Sequence, residues 1–339
     1  MAVRMKDIAA DLGVSAVTIS KVLRNQGRIS AGTRERVLRR IKELNYQPNF
    51  AARSLVSGRT FLIGLVVPDL THPFFAAIAK SLSGTLRTRG YAVAVSSSEE
   101  DCELEAQEIS AFLARRVDAL IVASSQRSKN TSIFKRLRKE KVPFVLADRI
   151  VPDLNAHFVG SDDKAIGRIA TEHLIDRGRR LIAHIRRPDI SPGINRFKGY
   201  EEAMKKHRIK IRPEFVGVAE SGDDRGEQCG FEAMQKLLSL RPHPDAVFCY
   251  NDIIGFGALK AIQEAGLRVP QDVAVVGASN LSALTFWRTT QLDLTTVDQD
   301  VPAIADVISK LVLDVVENGP RSRYEHVLIP PKLVIREST

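Results

Sequence analysis

Residues 7–23 read DIAADLGVSAVTISKVL, two short amphipathic segments hinged at Gly13. Helical spacing has the first bury Ile8, Ala9 and Leu12, and the second bury Val17, Ile19, Val22 and, in part, Leu23. Gly13 takes a tight turn without steric cost, and Ser15 stands where its hydroxyl accepts from the backbone N–H of Thr18 as a helix N-cap. A loop and cap at residues 29–33 leads to a third helix through RERVLRRIKELNY (34–46), with Val37, Leu38, Ile41 and Leu44 on one face. This is the layout of a helix-turn-helix, whose second helix enters the major groove of DNA. An ordinary helical hairpin has the same turn and cap, so charge has to discriminate.

Residues 1–59 contain 12 Lys or Arg and 4 Asp or Glu, a net +8 out of +10 for the whole chain. One basic helix face is unremarkable. Most of the excess charge concentrated in a sixth of the chain is the electrostatic footprint of a phosphate-binding module.

A length of 339 residues with 44% hydrophobic content implies two or three globular domains. The N-terminus does not read as a secretory leader and the apolar runs fall short of a bilayer span, so a cytoplasmic location is expected. Cys102, Cys229 and Cys249 lie far apart without CxxC or zinc-finger spacing. No metal site is therefore expected, and no cofactor.

Residues 47–58, QPNFAARSLVSG, are too few for a helix stable alone in water and read as a conditional hinge. From Phe61 the pattern changes to apolar strands alternating with amphipathic helices: FLIGLVVPDL, a helix from Pro73 to about Thr88, YAVAVSSS, a helix from Glu103 to Arg115, then DALIVASS. The alternation continues through VPFVLADRI and HFVGSDD, restarts at Lys164, and runs through RLIAHIRRP, EFVGVAES, DAVFCYND and DVAVVGASN. Such βαβ repetition builds parallel sheets, and its length suits two sheets with a cleft between them.

Several stretches in this order, KDIAADLGVSAVTISKVL, ELNYQPNFAARSL, PDLTHPFF, ADR, NRFKGY, NDIIGFGAL and VPQDVAVVG, resemble the lac repressor (LacI/GalR) family of transcriptional regulators over essentially the whole chain. The resemblance implies an all-α helix-turn-helix headpiece joined to an α/β two-lobed periplasmic-binding-protein-like core of two doubly wound parallel sheets. The expected divisions are a headpiece at 1–46, a hinge at 47–59 and a body at 60–339. Lobe 1 of the body is expected to hold about 60–160 and 292–323, and lobe 2 about 161–291 and 324–339.

The same resemblance implies roles for single residues. Ala16, Val17 and Lys21 face the groove, while Ser15, Thr18 and Asn25 hold the DNA backbone, a contact that positions without reading sequence. Leu55, flanked by Ala52 and Arg53, matches a leucine that the family inserts into the minor groove. The implied partners are a near-palindromic double-stranded DNA operator, a small-molecule effector and a second copy of the chain, as a homodimer or tetramer.

Parallel sheets bind ligands beyond the carboxyl ends of their strands. The polar residues gathered there, Asp69, Asp148, Arg149, Arg196, Asn251 and Ser279, with Phe74 at the start of the next helix, resemble the family's effector site and are the expected effector-binding set. Structural alternatives stand beside them: Phe75 in the core, Asp252 capping the next helix, Arg149 bridging the lobes. The chain departs from the sugar-binding pattern at Ala278-Ser279-Asn280, where relatives carry an Asp, and lacks an evident stacking aromatic after EFVGVAES. Arg186 and Arg187 stand where relatives tend to carry a Gly-Pro pair: either the pair is solvated, or it faces the cleft mouth and the expected sugar or sugar derivative is anionic.

Two other classes are weighed. A catalytic two-lobed protein would need a phosphate loop, HExxH, GxSxG or GxGxxG, and none is found. A periplasmic solute-binding protein would need a leader in place of the basic headpiece.

Overall fold

The computed structural model describes residues 3–23, 27–46, 54, 58–126, 131–219, 226–284, 292–319 and 323–339. They form two units, Met1–Thr60 and Phe61–Thr339.

In the first unit α1 (Met5–Leu12), α2 (Ala16–Leu23) and α3 (Ala31–Glu43) close around Ile8, Ala9, Ile19, Val22, Val37 and Tyr46. Helices α1 and α2 have eight residues each, too short to persist without this packing. Gly13 adopts φ 65 at the turn, and Ser15 Oγ accepts from Thr18 N at 3.0 Å. Arg36 donates to Leu12 O at 3.1 Å and Arg40 pairs with Asp11, fastening α3 to α1.

Two expected core positions lie outside. Val17 is 61% exposed, because residues two apart sit about 200° apart around a helix, so Val17 and Ile19 take opposite sides. Leu38 is 47% exposed, displaced from the stripe that Val37 and its i+4 neighbour Ile41 establish.

The second unit holds two six-stranded sheets. The first contains β1 (Leu62–Val67), β2 (Ala92–Ser97), β3 (Ala119–Val122), β4 (Phe144–Ala147), β5 (His157–Ser161) and β11 (His326–Ile329), in the order β11-β5-β4-β3-β1-β2, all parallel. The second contains β6 (Ile182–Arg186), β7 (Val216–Val218), β8 (Ala246–Cys249), β9 (Ala274–Ala278), β10 (Thr295–Asp298) and β12 (Lys332–Val334), in the order β12-β10-β9-β8-β6-β7. Strand β12 runs antiparallel to β10, departing from the all-parallel expectation: it follows β11 through Pro330-Pro331 directly, with no crossover helix to restore direction.

Helices α4 (Pro73–Thr88), α5 (Cys102–Ala114) and α6 (Ser132–Lys139) cover the first sheet together with α11 (Val301–Asn318). Helices α7 (Asp163–Asp176), α8 (Ser191–Lys206), α9 (Gly226–Leu238) and α10 (Asp252–Glu264) cover the second. The chain crosses between lobes after β5, after β10 and between β11 and β12. Two assignments are thereby corrected. Strand β10, expected in lobe 1, belongs to the second sheet, where Thr296 donates to Asp252 at 2.6 Å. Strand β11, expected in lobe 2, pairs with β5 of the first.

Glycines set the helix pairs of lobe 2. A Cβ on Gly167 would stand 1.9 Å from Arg196 O, and one on Gly257 1.9 Å from Glu227 O. Backbones in such contact bring the N-terminal ends of α8 and α10 to the cleft.

Candidate functional site

The carboxyl ends of the strands of both lobes line a cavity of about 300 Å³, part of it open to solvent. From lobe 1 come His72, Phe74, Phe75, Asp148 and Arg149; from lobe 2 come Arg196, Tyr250, Asn251 and Ser279; Gln299 sits at a crossing. Six of the seven expected residues meet here. Asp69 does not, because its Oδ1 accepts from both Thr71 N and Thr71 Oγ1 at 2.7 Å, turning the carboxylate into its own loop.

Pro73 at the first position of α4 makes His72 the N-cap, with Nδ1 accepting from Phe74 N at 3.3 Å. Asn251 caps α10 in the same way, its Oδ1 accepting from Ile254 N at 2.9 Å. The cap is therefore Asn251 and not Asp252. Each capping residue commits an acceptor to its helix, and His72 Nε2 and Asn251 Nδ2 face each other across the cleft at 3.4 Å. Asp252 instead accepts from Leu281 N at 2.7 Å and from Thr296. Burial pushes its carboxyl up to about 6, against the pull of these two donors.

Both lining arginines are committed. Arg196, 2% exposed, donates Nε to Asp163 at 2.9 Å and Nη1 to Tyr250 O at 2.7 Å, with the Tyr250 ring 4.7 Å from its guanidinium carbon. Burial opposes its charge, but Asp163 more than compensates and raises its pKa. Arg149 donates Nη1 and Nη2 to the two carboxylate oxygens of Glu100 at 2.9 and 2.7 Å. Burial opposes this charge as well, and Glu100 holds it above the ordinary value. Glu100 lies in the same lobe, so Arg149 does not bridge the lobes through this pair; Ile150 N does cross, donating to Ser191 Oγ at 2.8 Å.

The Arg186-Arg187 pair is not among the cavity-lining residues. Arg186 stacks on Phe197 at 4.1 Å, and Arg187, 3% exposed, lies against Asp189 and Glu100. Three non-glycine residues at the cleft have positive φ, Asp148 at 63, Ser279 at 118 and Asn280 at 55, costing on the order of 1 kcal/mol each.

On the headpiece, Ala16, Val17 and Lys21 are exposed on α2, and Ser15 Oγ and Thr18 Oγ1 are hydrogen-bonded at 2.9 Å. Asn25, Ala52, Arg53 and Leu55 lie outside the described residues.

Residues 4–49 match the model of bacterial regulatory proteins of the lacI family, and residues 171–339 match a periplasmic binding protein-like domain. A ribose operon repressor of Halalkalibacterium halodurans is 33% identical over 99% of this chain and 96% of its own. The chain belongs to the LacI family of bacterial regulatory proteins. A PurR transcriptional repressor of Histophilus somni is 32% identical over 98% of both chains. Among solved structures, a lac repressor dimer bound to operator and the anti-inducer ONPF superposes with a TM-score of 0.82 at 25% identity, covering 100% of this chain and 99% of that one. A CelR–cellobiose complex does so at 0.73 and 29%, covering 99% and 100%. As a LacI-family member the protein is a DNA-binding transcriptional repressor under allosteric control.

Four lining residues escaped the sequence reading: His72, Tyr250 and Gln299, and Phe75, which had been assigned to the core. Phe75 does both, packing in the lobe 1 core while lining the cavity. A usable signal existed for His72, since a Pro at the start of a helix marks the residue before it as the cap at a strand end.

Proposed function

We propose that the interlobe cavity is the effector site and that its ligand is a small, uncharged, hydroxyl-rich molecule. The observation that carries this is the commitment of both lining arginines to carboxylates, Arg149 to Glu100 and Arg196 to Asp163. Among the described residues no arginine that lines the cavity lacks a carboxylate partner, and the positive pair that suggested an anion lies off the cavity. The remaining lining, Asp148, Asn251, Ser279, Gln299 and His72 beside Phe74 and Phe75, offers donors and acceptors around an apolar wall, the composition that recognises a polyol. The cellobiose ligand of the CelR relative and the ribose operon of the other point the same way.

In this reading the protein acts in the cytoplasm as a homodimer on a near-palindromic operator. Lys21, Val17 and Ala16 contact bases, Ser15, Thr18 and Asn25 contact the DNA backbone, and Leu55 with Ala52 and Arg53 wedges the minor groove. Closure of the lobes on the effector then alters the spacing of the two hinge segments.

Selection of native genomic fragments on the full-length protein tests the DNA half: near-palindromic sites whose affinity falls steeply with salt are expected, and salt-insensitive binding contradicts it. Calorimetry with ribose, cellobiose, gluconate and sugar phosphates tests the effector half, and preference for the charged compounds contradicts it.

A further inference from the structure

Glu100 stands beside the cavity where the lobes meet. It follows β2 in left-handed backbone at φ 59, directly after Glu99 at φ 48, conformations that cost a non-glycine residue on the order of 1 kcal/mol each. The turn delivers its carboxylate between two guanidiniums from opposite lobes. Arg149 of lobe 1 donates Nη2 to Oε1 at 2.7 Å, and Arg187 of lobe 2 brings its own Nη2 to 3.8 Å from the same oxygen. Both arginine side chains are 4% exposed, and that of Glu100 is 11% exposed. The other edges of the guanidiniums face Asp148, 3.9 Å from Arg149 Nε, and Asp189, 3.5 Å from Arg187 Nε. Two guanidiniums converging on one carboxylate form an anion slot, which here the chain fills with its own side chain.

We infer that Glu100 sets the charge of the ligand the cleft accepts. Its carboxylate occupies the place that a ligand's carboxylate or phosphate would take between Arg149 and Arg187, and so excludes anions. The inference rests on the reading of the cavity as the effector site. Removal of the Glu100 carboxylate leaves two buried guanidiniums facing a vacated volume without their shared counter-ion, an arrangement that favours capture of an anion from solution.

The test is calorimetric titration of the full-length protein and its Glu100→Ala variant with inorganic phosphate and with gluconate. At least tenfold tighter anion binding by Glu100→Ala is expected, together with loss of that gain in the Glu100→Ala/Arg187→Gln double variant. Anion affinity unchanged from wild type, or a gain of the same size in the double variant, overturns the inference. Should Glu100→Ala fail to fold, Glu100→Gly empties the same place with a residue suited to the backbone at φ 59: phosphate is expected to raise its melting temperature and not that of wild type, and equal responses overturn the inference. Ribose binding by wild type is scored separately and bears on the effector-site reading alone.

Discussion

On the headpiece, the side chains proposed to read bases, those of Ala16, Val17 and Lys21, stand exposed on α2. Val17 is 61% exposed while Ile19 and Val22 fill the core beneath α2. In the cleft, Arg196, Asn251, Arg149 and Asp148 are 2–8% exposed, and most of them carry a structural bond as well. Arg196 braces Asp163, Asn251 caps α10, and Arg149 holds Glu100. Substitutions at these exposed positions are therefore expected to leave stability intact, whereas substitutions in the buried cleft are not.

The largest effect expected from this contrast is that of Arg196→Ala. It strands Asp163 in the interior and should destabilise the body by about 3–5 kcal/mol, measured by denaturant unfolding. A variant that loses ligand binding but unfolds at the wild-type midpoint breaks the comparison on the cleft side. Ile19→Ala should cost about 2–5 kcal/mol in the headpiece, abolishing DNA binding while the calorimetric transition of the body stays in place.

Asp252 sharpens the comparison through pH. Its carboxyl titrates near 6 when folded against 3.8 for the ordinary group, so between these values the native state holds a proton that the unfolded chain has released. Stability should therefore fall as pH rises from about 4 to 6, by about 3 kcal/mol. Asp252→Asn should remove that slope, and a slope equal to wild type in the variant contradicts the assignment. At the small end, Val17→Ala should change stability by less than about 0.5 kcal/mol yet weaken binding to the selected operator. Destabilisation beyond that range would place Val17 in the core after all.

The order of strands and helices was readable because apolar alternation and helical periodicity each persist over several residues, and α4 spans Pro73–Thr88 as its pattern indicates. The lobe to which the last strands return was not readable. Strands β10 and β11 have only four residues each, and what separates them is long-range: the bond from Thr296 to Asp252, and the pairing of β11 with β5. In the cleft, residue type located Asp148 and Asn251 at strand ends and Arg196 in the opening turns of α8. Pairing decided the rest, because a count of arginines does not reveal that Glu100 neutralises Arg149 or that Arg187 is buried against Asp189. The headpiece charge shows the same gap, since Arg4, Arg36, Arg39 and Arg40 bind groups within the headpiece itself.

The central claim is that cleft and operator are coupled. The direct measurement is the affinity of the full-length protein for its selected operator fragment with and without saturating cleft ligand, paired with the ligand's affinity with and without saturating operator. Coupling predicts one and the same factor in both, on the order of 5- to 150-fold. A ligand that binds the cleft tightly and leaves operator affinity unchanged would contradict the account.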